Sequence, residues 1–89
     1  MAWTIDYADP ALRELRKLDP AVARRVVDFM SERVAKHPDP RSIGSPLTGP
    51  LLGQFWRYRV GDWRVICDIQ DARLTVLVVK IAARKHVYR

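Results

Sequence analysis

The sequence predicts an α+β domain of order β-α-α-β-β-β, in which a helical hairpin covers one face of a mostly antiparallel four-stranded sheet. Three observations carry this reading. Gln54 to Ile69 forms two runs of β-branched and aromatic residues joined at Gly61-Asp62, a dipeptide suited to a two-residue hairpin turn. Asp9 to Lys36 holds two stretches of helical spacing, each opened by an Asp-Pro pair. Leu74 to Ile81 is nearly continuous in apolar and β-branched residues, the pattern of a central strand.

Taken in order, Trp3, Ile5 and Tyr7 alternate with Thr4 and Asp6, which predicts a short first strand. Asp9-Pro10 ends it and starts a helix, because aspartate can accept from a free helix N–H and proline at the first position loses no bond. Leu12, Leu15 and Leu18 supply its apolar face. Asp19-Pro20 repeats the signal, and Val22, Val26, Phe29, Met30 and Val34 share one stripe of a second helix running to about Lys36. His37-Pro38-Asp39-Pro40 stops it, since a residue before proline is driven from helical angles. Arg41 to Gly53 carries Gly44, Pro46, Gly49, Pro50 and Gly53 and reads as loop, with Leu47, Leu51 and Leu52 tucked against the sheet. Asp71-Ala72-Arg73 reads as the last turn. The 89 residues are expected to form a single domain spanning positions 1–89.

Sixteen Lys+Arg against ten Asp+Glu give a formal charge of +6, which suits a nucleic acid, an acidic protein or another anionic surface. Cys67 is the only cysteine, so an intramolecular disulfide is excluded, and two distant histidines make no metal site. No run approaches the ~18 apolar residues of a membrane span, and nothing at Met1 to Asp9 marks export; a cytoplasmic home and no membrane partner are expected. The spacing of glycines excludes a phosphate loop.

The hairpin carries the chemistry. With Gly61-Asp62 as its loop, Val60 faces Trp63, Arg59 faces Arg64, Tyr58 faces Val65, Arg57 faces Ile66 and Trp56 faces Cys67. One face then holds Trp56, Tyr58, Val60, Trp63, Val65 and Cys67 and belongs to the core. The other is expected to face solvent and holds Arg57, Arg59 and Arg64. Two arginines set opposite each other cost stability unless an anion lies between them, and guanidinium groups match phosphate oxygens two at a time. These three residues predict a phosphate site. The tail beyond Ile81 adds Arg84, Lys85, His86, Tyr88 and Arg89, whose strand end returns near Gly61. His86 suits acid–base work and Tyr88 suits base stacking or proton transfer, although strand parity does not fix where Arg84 points.

These residues resemble the RelE family of bacterial type II toxins over nearly the whole chain. The likeness runs through Ala11-Leu12-Arg13-Glu14-Leu15-Arg16-Lys17-Leu18-Asp19, Pro38-Asp39-Pro40-Arg41, Leu47-Thr48-Gly49, Trp56 to Ile66, and Arg84-Lys85-His86-Val87-Tyr88. It implies a RelE-like fold and a ribosome-dependent endonuclease that cuts mRNA in the A site and so inhibits translation. Basic residues at the positions of Arg57, Arg59, Arg64 and Arg84 would surround the scissile phosphate, and Tyr88 would complete the site. A ribose 2′-OH would attack the adjacent phosphate with no metal and no cofactor. Some relatives carry lysines in place of Arg57 and Arg59; arginine keeps its proton, so neither can be the general base, and His86, Tyr88 or Lys85 would move protons. Lys85 and Arg89 would contact RNA. The partners implied are the 70S ribosome, its mRNA, and a cognate acidic RelB-like antitoxin held in a hetero-oligomer. A toxin of ParE type that inhibits DNA gyrase by protein contact, and a non-catalytic basic RNA-binding module, are the alternatives.

Overall fold

The computed structural model describes residues 2–47 and 54–83. Thr4–Tyr7 forms β1, Asp9–Lys17 α1 and Pro20–Asp28 α2, which continues as a π-helical segment over Phe29–Val34. After a 3-10 turn at Pro40–Ile43 come β2 (Ser45–Pro46), β3 (Phe55–Val60) and β4 (Trp63–Gln70). A second 3-10 turn at Asp71–Arg73 leads into β5 (Thr75–Ala83). The sheet order is β1-β5-β4-β3-β2; β1 runs parallel to β5 and every other neighbour is antiparallel. The expected α+β layering holds, and the sheet has five strands rather than four. The extra one is β2, two residues inside the glycine- and proline-rich stretch, too short to leave an alternating pattern in the sequence.

Both helices are positioned by their apolar stripes. In α1 Ala11 is fully buried with Leu15 and Leu18 packed against the core, while Leu12 lies outside that cluster. Asp9 is the first residue of α1 and Ala8 takes the cap position without a side-chain bond; the cap predicted at Asp19 does form, its Oδ1 accepting from the Ala21 N–H at 2.9 Å. Val26, Met30 and Val34 are buried at four-residue spacing, which in an α-helix drifts by about 40° per step. The wider π turn, closed by the Ala35 N–H donating to the Met30 carbonyl at 2.8 Å, counters that drift and keeps Val34 over the sheet.

Below the helices, Tyr58, Val60, Val65, Cys67, Ile69, Val76, Val78 and Ile81 form the sheet's half of the core. The Tyr58 hydroxyl is buried and donates to the Pro40 carbonyl at 2.7 Å, tying β3 to the turn that ends the helical hairpin. Gly44 allows this, since a Cβ there would lie 2.9 Å from the Tyr58 ring. Arg41 closes the same region with two bonds of 2.8 Å to the Asp71 carboxylate, its guanidinium 5.8 Å from the Trp56 ring centre. His37 also serves the loop, accepting the Asp39 N–H at Nδ1 over 3.0 Å. Leu47 is buried as expected, whereas Leu51 and Leu52 lie outside the described residues.

Candidate active site

The hairpin register is the one the sequence predicts: Arg59 pairs with Arg64, Arg57 with Ile66, and Trp56 with Cys67, about a turn in which Gly61 has φ +60°. Its two faces separate accordingly. Arg57, Arg59 and Arg64 lie on the face turned away from the helices, because their strand neighbours Tyr58, Val60 and Val65 are in the core.

The three arginines differ in exposure, and one expectation is corrected. Arg59 is exposed and Arg57 half-buried, but Arg64 retains only 2 % of its accessible surface. The reason is position in the sheet. Arg64 on β4 has Arg59 on one side and Ala82 on the other, whereas β2 reaches only Arg57 and Trp56, so among the described residues Arg59 has a strand neighbour on its β4 side alone. One Arg64 terminal nitrogen donates to the Trp63 carbonyl at 3.2 Å, so this guanidinium is held against the hairpin turn instead of standing in solvent. From the helical layer Arg25 reaches the same turn, its terminal nitrogen 3.1 Å from where a Cβ on Gly61 would sit.

A fourth cation on this face was not anticipated. The β4/β5 register shifts between Ile66 and Cys67, so that Cys67 pairs with Val78 and Ile66 with Lys80, leaving Val79 as an extra residue in β5. Lys80 therefore shares the outer face with Ile66 and is exposed. Its signal in the sequence was a lone charge in an apolar strand, which strict alternation from Val76 and Val78 would have aimed into the core. Asp68 and Asp6, in the adjoining row with Leu77, are the carboxylates of this face among the described residues, and Asp68 accepts from Gln70 Nε2 at 3.2 Å.

Cys67 is fully buried, and burial, with Asp68 nearby, pushes its thiol far above the ordinary range; it is a packing residue. Burial likewise raises the Tyr58 phenol strongly and Tyr7 to about 12. Arg84, Lys85, His86, Tyr88 and Arg89 lie outside the described residues. Ala83, the residue before them, pairs with Trp63 beside the hairpin turn, so β5 delivers the chain to the Gly61 end as expected.

Residues 5–88 match the family model described as the ParE toxin of the type II toxin–antitoxin system parDE. The chain is a type II toxin of the RelE/ParE superfamily. Toxin RelG of Mycobacterium tuberculosis is 32% identical over 89 residues, covering 100% of this chain and 99% of the relative. Toxin RelE of the same organism is 33% identical over 79 residues, covering 89% and 78%. Among solved structures, the toxin–antitoxin complex RelBE2 from M. tuberculosis superposes with a TM-score of 0.84 at 27% identity, covering 94% of this chain and 93% of that one. A mutant E. coli toxin RelE in the free state shares the RelE/ParE fold with a TM-score of 0.77 at 22% identity, over 99% and 90% of the two chains.

Proposed function

We propose that this toxin is a ribosome-dependent mRNA endonuclease that cleaves A-site mRNA by 2′-OH attack on the adjacent phosphate. The observation that carries the reading is the pairing of Arg59 with Arg64 and the placement of Arg57 one pleat away, all on the face free of helices. Facing like charges in neighbouring strands are destabilising by themselves and favour an anion between them. Over a phosphate they would stabilise charge developing on the phosphorane, which is where fixed cations accelerate such a reaction most. RNA brings its own nucleophile, and no metal or cofactor is assigned a part. Arginine holds its proton, so proton transfer falls to His86, Tyr88 or Lys85, with Arg84 joining the other arginines at the scissile phosphate and Lys85 and Arg89 contacting the RNA. An acidic, RelB-like antitoxin is the proposed partner in the cytoplasm, held in a hetero-oligomer over this basic face; relatives solved as RelBE complexes support a partner of that kind.

Incubation of the purified toxin with programmed 70S ribosomes tests this: primer extension should find a cut in the A-site codon, with 2′,3′-cyclic or 3′-phosphate ends. Ends bearing 5′-phosphate and 3′-hydroxyl would point to activated water instead and defeat the mechanism. The ParE description of the family model keeps a second reading in view, inhibition of DNA gyrase by protein contact. Loss of gyrase supercoiling with ribosomal mRNA left intact would select it.

A further inference from the structure

Lys80 and the β5 bulge have no part in the chemistry derived so far. On the outer face two rows of side chains cross the sheet, Ser45–Arg57–Ile66–Lys80 and Arg59–Arg64–Ala82. Arg57 and Lys80 thus stand on either side of Ile66, with Cα atoms roughly 10 Å apart at two strand spacings. Each is also a diagonal neighbour of Arg64, at the ~7–8 Å separation that long side chains bridge. Four cations therefore border one buried apolar floor, Ile66, which keeps 6 % of its surface, while Asp68, two residues along β4, lies on its remaining side and bonds to Gln70. Neither row contains a carboxylate. Lys80 is exposed and makes no hydrogen bond or ion pair among the described residues. Glu14 of α1 borders the groove of about 540 Å³ that Lys80 also lines, yet the two form no ion pair.

We infer that Lys80 is a substrate-binding residue of the cleavage face, holding an RNA phosphate adjacent to the scissile one. The assignment rests on the reading of this face as RNA-binding. A regular β5 would have buried the ammonium where a charge is costly; the bulge at Val79 brings it outward, keeps Ile81 in the core, and extends the cationic surface by one strand beyond the arginines. A single phosphate is satisfied by the arginines of β3 and β4. A cation on a third strand gains most from a polyanion with a second phosphate along the chain.

The test uses the full-length toxin and a fluorescent single-stranded oligoribonucleotide with 2′-O-methyl groups, which lacks the nucleophile and cannot be cut. Affinity is measured across a salt series for wild type, Lys80→Gln, Lys80→Arg and Arg59→Gln, with melting curves for each. Lys80→Gln should bind on the order of tenfold more weakly. Its slope of log affinity against log salt should shrink by about 0.7, the share of one phosphate contact on a single strand. Lys80→Arg should restore both, and melting should be unchanged because the residue is exposed. Wild-type affinity and slope in Lys80→Gln, with Arg59→Gln weakened, would overturn the assignment while leaving the arginine site in place. A Lys80-dependent slope in a toxin that cuts no ribosomal mRNA would sustain Lys80 as an RNA-phosphate contact, and would overturn the nuclease reading and with it the placement beside a scissile phosphate. Absence of oligonucleotide binding by wild type would overturn the RNA assignment of the whole face.

Discussion

Arg59 and Arg64 face each other in one register pair, yet truncating them should have opposite effects on stability. Arg64→Ala removes a buried guanidinium and its bond to the Trp63 carbonyl. A hydrogen bond to a charged group contributes about 1.5–3 kcal/mol. Relief of the facing like charge returns about 0.2–1 kcal/mol. The net is a loss of roughly 0.5–3 kcal/mol, which for a domain of this size lowers Tm by about 2–24 °C. Arg59→Ala removes an exposed side chain, so the same relief is the leading effect and stability should stay within about 0.5 kcal/mol of wild type, on the stabilising side. Both variants should lose ribosomal cleavage, each by about 10²–10³, the usual effect of deleting one group that stabilises transition-state charge. Thermal melts followed by circular dichroism, beside single-turnover cleavage below the lower Tm, separate the two effects. A Tm for Arg64→Ala equal to wild type, or a fall in Arg59→Ala of the same size, would refute the sheet-position argument for Arg64's burial. Undiminished cleavage by folded Arg59→Ala would remove the exposed arginine from the mechanism.

Tyr58→Phe should cost about 1–3 kcal/mol in urea unfolding, since it deletes a buried 2.7 Å bond and leaves the Pro40 carbonyl without that donor; a change below the error of the fit would show that water replaces the hydroxyl. The Arg41 guanidinium, by donating to Asp71, holds that carboxyl below the usual carboxylate value. A depressed folded-state pKa stabilises above the unfolded value of about 3.9 and the benefit is lost as pH falls, so the urea midpoints of wild type and Asp71→Asn should differ near neutrality and converge in acid. Divergence in acid would reverse the sign. Cys67 should resist a thiol reagent in the native protein and react at once in guanidinium chloride, because the thiol is both buried and held protonated; fast native labelling would contradict its place in the core.

The local pattern alone determined the hairpin and its faces. Trp56, Tyr58 and Val60 alternate with Arg57 and Arg59 about a glycine turn, and a period of two with a fixed loop leaves one register, so the facing of Arg59 and Arg64 followed from the sequence. The helix stripes were equally legible in Val26, Met30 and Val34, because burying a helix on a sheet needs that spacing whatever the surroundings. Tertiary structure decided three things the pattern could not contain. The parallel seat of β1 against β5 depends on where the chain returns after the helices, which no local spacing encodes. Arg64's burial comes from having strand neighbours on both sides, a property of sheet order rather than of residue type. Lys80 faces outward only because β5 gains one residue against β4 at Val79, and an inserted residue changes the side-chain parity of everything after it without altering the composition of the strand.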